Sequence, residues 1–531
     1  AVAAAAAPKP HILMVIVDDF GWANAGYHRA TPTPEVKTPT LDALAGDGVL
    51  LMRHYVHPEC TPSRVSFQTG RLPMHSGQPS LCKLSAADCG IPYNSTTIAT
   101  KLASAGYKTH QVGKWDAGMA TMTHTPVGRG YQSSLNYFGH GNYQWSEAEW
   151  RGAHNDSTVP DPTTDPSQIR DLWDSYKPAV SIANRSYYEK IYEEALFLER
   201  MTSILDAHDP ADPLFLTYCA RIAHYPVQAP AAYQKRPNIA AIDVPHRRVY
   251  HAQIEYLDDQ LANLTAMYKA KGMWDNTLMV LTSDNGGYVK PLGPCTDFDP
   301  IKGVTCMSGE AGASNYPLRG GKYSFFEGGI RSNSFVSGGF LPQSVRGTTL
   351  HGLMHIADHY TTFCSLAGVD PFDAMGAKVG IPPVDGMDMW PLISGKNKTS
   401  PRAELFVATN CLIQGDWKLL TGPVSSASWG GPVYPNASTA NDNNPLSNYT
   451  AQCNPGCLYN VGTEGDMTEH ADLAEAEPAR LQAMMSRLSQ LVEWTNKSIA
   501  AYSSTCVSGT DIFHSRYGGF YGPFCELDVP V

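Results

Sequence analysis

The chain has 531 residues, more than one hydrophobic core usually supports, so a large domain joined to a smaller one is the expected arrangement. Hydrophobic residues make up 43% and charged residues 17%, which excludes a disordered or fibrous chain. With 39 basic against 50 acidic side chains the formal charge is -11; this excludes a global basic field for nucleic acid, and an anionic substrate must meet a local cluster of Lys, Arg and His.

Residues 1–7 are almost all Ala and read as a mature N-terminus whose signal peptide is absent. Residues 12–17 form a continuous apolar run rich in β-branched side chains. That pattern predicts a buried strand of a largely parallel sheet, is far too short to span a bilayer, and ends directly in Asp18-Asp19. The segment Cys60-Thr61-Pro62-Ser63-Arg64 follows about forty residues later and is trailed by Thr69-Gly70-Arg71. Then come Gly113-Lys114-Trp115-Asp116 and an aromatic stretch over residues 136–150, whose His140, Tyr143, Trp145 and Trp150 suit a sugar-stacking rim. A second buried strand is predicted over residues 214–219, shortly before His224. Ile254, Leu257, Leu261, Leu264 and Met267 mark one face of a helix over residues 249–270. A third strand, 277–283, ends in Asp284-Asn285, and Lys322 lies in Gly320-Gly321-Lys322-Tyr323-Ser324. Strands alternating with helices predict an α/β domain whose ligands gather at the carboxyl ends of its strands. Beyond about residue 388 short strands (404–408 and 417–420), a Gly/Pro/Asn/Ser-rich stretch and a helix over residues 478–494 predict a smaller α+β domain.

Asn-x-Ser/Thr acceptors at Asn94, Asn155, Asn184, Asn263, Asn397, Asn436, Asn448 and Asn496, with twelve cysteines, point to the secretory route, ending outside the cell or in the lysosome. Cys82 with Cys89 and Cys295 with Cys306 are candidate local loops, and Cys411, Cys453, Cys457, Cys506 and Cys525 candidate staples of the C-terminal third. With Cys60 set aside, eleven remain and at least one stays unpaired; Cys219, inside an apolar run, is the candidate.

The Cys-x-Pro-x-Arg segment with its Thr-Gly-Arg resembles the signature of the sulfatases, whose Cys is oxidised to formylglycine by a formylglycine-generating enzyme. A hydrated aldehyde carries two hydroxyls on one carbon: one can attack sulfur, and the other can later expel sulfate by re-forming the aldehyde. Arg64, one helical turn on from Cys60, would face the same side and hold the charge of that diol. The resemblance implies a calcium ion held by Asp18, Asp19, Asp284, Asn285 and the oxygen of residue 60. These are oxygen ligands for a hard cation, and Asn285 stands where the two-zinc relatives carry His. It further implies Lys114 and Lys322 as grips for sulfate, with His224 or Lys322 protonating the departing alkoxide. Asp116 departs from the family, which commonly has His there; a carboxylate beside sulfate needs compensation, for which Lys114 is the near cation, and Asp116 is then a candidate base for sulfate release, the alternative being that it caps a turn and that His124 or His140 is the base. The implied fold is alkaline phosphatase-like, a large mostly parallel mixed sheet flanked by helices over residues 8–390, with a smaller C-terminal domain over 391–531. The implied reaction is hydrolysis of a sulfated aryl compound or saccharide. Two other readings use the same residues: a phosphonate or phosphate ester hydrolase, and a non-catalytic sulfated-glycan binder in which Cys60 stays a thiol.

Overall fold

The computed structural model describes residues 9–29, 31–84, 86, 88–146, 168–289, 295–306, 312–430, 449–498 and 510–525. In chain order its principal elements are β1 (His11–Val17), β2 (Val49–Leu51), α1 (Cys60–Thr69), β3 (Lys108–Lys114), β4 (Ser133–Tyr137), α2 (Glu193–Ala207), β5 (Leu214–Ala220), α3 (Pro245–Ala270), β6 (Thr277–Ser283), β7 (Ser334–Ser337) and β8 (Thr348–Leu350). These strands pair in the order β8-β2-β7-β6-β1-β5-β3-β4, and a short hairpin, Trp173–Asp174 and Lys177–Pro178, completes one sheet of ten strands. Its middle, β6-β1-β5-β3-β4, is wholly parallel. The β7 strand runs antiparallel to both β6 and β2, so the sheet is mixed.

The apolar runs form this sheet because both of its faces are covered. In β1, Leu13, Val15 and Val17 enter one core cluster while Ile12, Met14 and Ile16 enter another on the opposite face. Complete burial of side chains of this size contributes about 1.5–3 kcal/mol each. The α3 helix lays Ile254, Leu257, Leu261 and Leu264 into the first cluster, starting four residues earlier than the periodicity predicts because Pro245 suits a first helical turn.

A second sheet holds β9 (Glu404–Ala408), β10 (Cys411–Gln414), β11 (Trp417–Val424) and β12 (Ala451–Asn460), all antiparallel, with α4 (Pro478–Ser498) packed on it. A cut between residues 390 and 391 falls inside the short helix Trp390–Ile393. Residues 510–525 return to the large sheet, where Phe513, Phe520, Tyr521 and Phe524 join its two cores.

Disulfides join Cys82 to Cys89, Cys295 to Cys306 and Cys453 to Cys457, and Cys525 is also disulfide-bonded. Cys411 is a buried free thiol in β10 and not a staple, and Cys219 and Cys364 are free and buried as well. Cys506, Asn155, Asn436 and Asn448 lie outside the described residues, as does the Asn496 side chain. Of the other acceptor sites, Asn263 and Asn397 are exposed, whereas Asn94 and Asn184 are half-buried and the Asn184 side-chain Oδ1 accepts from Arg170. Among the described residues no helix is long and apolar enough to cross a membrane.

Candidate active site

Every strand of the parallel middle delivers polar side chains where it ends. Val17 and Ser283 are register partners, so Asp18-Asp19 and Asp284-Asn285 emerge side by side. Val17 also pairs with Ala220, which brings His224 to the same edge, and Lys114 pairs with Tyr137, which sets Asp116 beside His140. Loops leaving parallel strands at one end must converge, and residues up to 303 positions apart in the chain come into hydrogen-bond contact here.

Cys60 is the first residue of α1. Ser63 accepts the His57 N–H at 2.9 Å and so fixes the chain's entry; Pro62 is tolerated because first-turn N–H groups have no helical partner. Gly70 ends the helix at φ +69°, and a Cβ there would stand 2.7 Å from the Tyr360 ring, so conformation and space both demand glycine. Arg71 then pairs with Asp373 at 2.9 Å, both buried. The Thr-Gly-Arg portion therefore stops and anchors the helix that carries Cys60.

Around that helix end the buried charges interlock. Lys114 Nζ is 2.7 Å from Asp18 Oδ2 and 3.6 Å from Asp116 Oδ2, and Lys322 Nζ is 2.6 Å from Asp19 Oδ1. Burial by itself would lower both ammonium groups, but Asp18 and Asp19 respectively hold them above the ordinary lysine range. Arg64 turns to Asp284 Oδ2 at 2.7 Å and so orients that carboxylate. Asn285 donates to Asp19 Oδ1 at 2.7 Å. Three oxygens, Asp18 Oδ1, Asp19 Oδ2 and Asn285 Oδ1, are buried without a hydrogen-bond partner. An all-oxygen set of this kind fits a hard cation. His224 Nε2 also approaches, 3.9 Å from Asp19 Oδ2, so one imidazole borders the set that the sequence drew as oxygen alone.

His224 Nδ1 donates to the Tyr225 carbonyl at 2.6 Å, and burial together with Lys322 keeps the ring well below its usual range. That hydrogen bond commits the Nδ1 hydrogen to the carbonyl and turns Nε2 toward Asp19. Burial and Asp116 raise the Cys60 thiol above its ordinary value. A protonated thiol is a poor nucleophile.

One residue of the cluster has a partner that the sequence did not assign to it. The sequence placed His140 in a sugar-stacking rim, but its Nδ1 is 3.2 Å from Asp116 Oδ1, nearer than Lys114 stands to that carboxylate, and an imidazole nitrogen, an Asp116 oxygen and the Cys60 sulfur lie within 4.8 Å of one another. Burial would lower His140, but Asp116 outweighs it and raises the ring to about 10. For Asp116 burial acts upward, and His140 and Lys114 hold it below the usual carboxylate range. Tyr143 and Trp145 are 3% and 1% exposed and belong to the packing, while Trp150 lies outside the described residues. His124, the other alternative base, is buried with its Nδ1 at Thr121. Only proximity in space pairs His140 with Asp116, which no local pattern encodes.

A parallel sheet of this kind, with acidic and basic side chains meeting a buried Cys at its carboxyl edge, defines a hydrolase of the alkaline phosphatase-like fold. A family model described as Sulfatase matches residues 10–369, and the chain belongs to that family as a sulfuric ester hydrolase. Arylsulfatase J of Mus musculus is 32% identical over 503 residues, covering 91% of this chain and 75% of that protein. N-acetylgalactosamine-6-sulfatase of Homo sapiens is 26% identical over 411 residues, 75% of this chain and 69% of that one. Among solved structures, Ps i-CgsB in complex with k-i-k-neocarrahexaose superposes with a TM-score of 0.68 at 23% identity, over 94% of this chain and 95% of that chain. The phosphonate monoester hydrolase SpPMH of Silicibacter pomeroyi reaches a TM-score of 0.53 at 16% identity, over 95% and 98% of the two chains. At these identities the structures speak for the fold alone.

Proposed function

We propose that the chain hydrolyses sulfate monoesters of saccharides or aryl compounds in the secretory pathway, with formylglycine made from Cys60 as nucleophile and calcium as cofactor. The observation that carries this reading is the trio of unpartnered buried oxygens on Asp18, Asp19 and Asn285, set among the strand ends that also bring Lys114 and Lys322 to Cys60. Asp18, Asp19, Asp284, Asn285 and the oxygen of residue 60 would hold the ion, whose charge would acidify and orient a hydroxyl. The raised thiol supports conversion of Cys60 over thiolate chemistry.

Lys114 and Lys322 neutralise oxygens of the sulfate, and Lys322, an ammonium held 2.6 Å from Asp19, supplies the proton for the departing alkoxide. His224 accepts a hydrogen bond at Nε2 and sits against the leaving group. Asp116, whose Oδ2 is buried without a hydrogen-bond partner, takes the proton from the second hydroxyl when sulfate is expelled. The Tyr225 and Tyr323 rings lie 5.6 and 5.7 Å from Lys322 Nζ, next to where the ring of an ester substrate would enter.

The test is made on one active preparation. Mass spectrometry of the peptide spanning Cys60 is expected to find formylglycine, and chelation is expected to abolish turnover of an aryl sulfate that calcium, not zinc, restores. A fully active sample with only unmodified thiol, or one indifferent to exhaustive chelation, would refute the reading. Comparing turnover of an aryl sulfate with that of an aryl phosphonate separates it from the phosphonate alternative.

A further inference from the structure

Glu59 stands one residue before the nucleophile, and only one of its two carboxyl oxygens has work in holding the fold. Oε2 accepts the Leu81 N–H at 2.7 Å, and Leu81 adjoins Cys82 of the Cys82–Cys89 disulfide, so the carboxyl is fixed in place. The side chain makes no capping hydrogen bond to α1, the helix it precedes, and among the described residues it enters no ion pair. Glu59 is half-buried, which leaves Oε1 open to a donor that comes from outside the chain.

The surroundings place that oxygen on the rim of the pocket. The Pro58 carbonyl accepts the Tyr323 N–H at 2.8 Å, Ser63 fixes the His57 N–H, and Cys60 opens α1, so the segment is tied to the site on both sides of Glu59. The Tyr323 ring lies 5.7 Å from Lys322 Nζ, where the ring of an ester substrate would enter. The anchor of Glu59 also borders the pocket, since the Cys82 carbonyl, next to Leu81, lies 3.2 Å from His140 Nε2. Lys322 and His140 are both near enough to act on the Glu59 carboxyl through their fields. Calcium, Lys114 and Lys322 would draw in the sulfate group. A carboxyl adds nothing to that attraction, but it suits an uncharged hydroxyl on the ring that carries the ester.

We propose that Glu59 is a specificity-determining residue that accepts a hydrogen bond from a hydroxyl of the sulfated ring, which makes a sulfated saccharide, and not a simple aryl sulfate, the preferred substrate. The inference rests on the reading of this pocket as a sulfate ester site and names its substrate class. A role confined to holding Leu81 predicts something else: the amide oxygen of Glu59→Gln also accepts that N–H, and any residual loss is then the same for every substrate.

Steady-state kinetics of the mature enzyme on a sulfated hexose, its monodeoxy analogues and an aryl sulfate decides between them. Wild type is expected to favour the parent hexose over one of the deoxy analogues by roughly tenfold or more in kcat/KM, the scale of a hydrogen bond to a carboxylate. Glu59→Gln is expected to bring that ratio to within about threefold of unity and to lower the preference for the hexose over the aryl sulfate by a similar factor. Glu59→Ala, which gives up the Leu81 bond as well, is expected to lose activity on the aryl sulfate too and yet to show the same collapse of the hexose-to-deoxy ratio. Ratios in both variants equal to those of wild type, whatever the overall activity, overturn the inference. A wild-type enzyme that turns over an aryl phosphonate but none of the sulfates overturns the reading of the pocket, and the inference with it.

Discussion

At the scale of single residues, the division of labour between Lys322 and His224 leads to different leaving-group dependence. Lys322→Ala removes the acid and is expected to lower kcat about a hundredfold on a saccharide sulfate, but much less on an aryl sulfate whose phenolate leaves without protonation. His224→Ala removes a hydrogen-bond acceptor and is expected to lower turnover about a hundredfold on both; steady-state kinetics on the two substrates checks the pair. Asp116 is tested by its isostere. As the base that expels sulfate, it predicts that Asp116→Asn releases one rapid burst of alcohol and then stalls as an enzyme sulfated at residue 60, seen as a mass shift on that peptide. Steady turnover with neither burst nor adduct would assign the proton to another group. Asp19 and Asp116 have φ of +55° and +47°, a left-handed conformation that non-glycine residues adopt at some cost, and both stand in the polar cluster.

Between elements, the contact of α2 with β5 stores a pH dependence close to the site. Glu194 in α2 is buried, and burial raises its carboxyl from the ordinary 4.5 to about 7. Tyr218 of β5 has one hydroxyl hydrogen yet lies 2.6 Å from both Glu194 Oε2 and Gln260 Oε1, which a protonated Glu194 resolves by donating to the tyrosine oxygen. A folded-state value above the unfolded one gives a contribution that is complete below about 4.5 and lost as pH rises through about 7. Wild type is therefore expected to lose up to about 3 kcal/mol relative to Glu194→Gln between mildly acidic and mildly alkaline pH. Denaturant titrations of both proteins across that range measure it, and parallel profiles would show that Glu194 is ionised throughout. The same register that seats Glu194 beneath Arg221 N–H, at 2.8 Å, sets the start of the loop that carries His224.

Across the whole molecule, the two sheets are joined by buried charge. Lys418 of β11 is completely buried, 3.0 Å from Glu327 Oε1 and 2.8 Å from Glu469 Oε1, and Glu327 also binds Arg331 and Tyr55 from the large sheet's side. Lys418→Met leaves Glu469 without its cation and is expected to destabilise the protein by roughly 3–5 kcal/mol, read as a lower unfolding midpoint. An unchanged midpoint would mean that the sheets unfold independently of this link. Glu327 lies five residues after Lys322, so this network also supports the turn that presents Lys322.

The chain by itself determined the parallel middle of the sheet and most of its polar edge. An uninterrupted apolar run can be satisfied only by burial on both faces, and the side chains that follow it fall at the strand's carboxyl end wherever the sheet lies. The two acidic pairs were legible for that reason, whereas Cys60, Lys114, His224 and Lys322 were picked out by the resemblance of their short motifs to those of the sulfatases. Partnership was not legible. That Arg64 grips Asp284, that His140 faces Asp116, that Tyr143 and Trp145 are packing residues and that Cys411 stays a thiol depend on distances between segments far apart in the chain. Such distances are set by strand order and register, which periodicity along one strand does not encode, so tertiary structure alone decided which charge each buried charge meets.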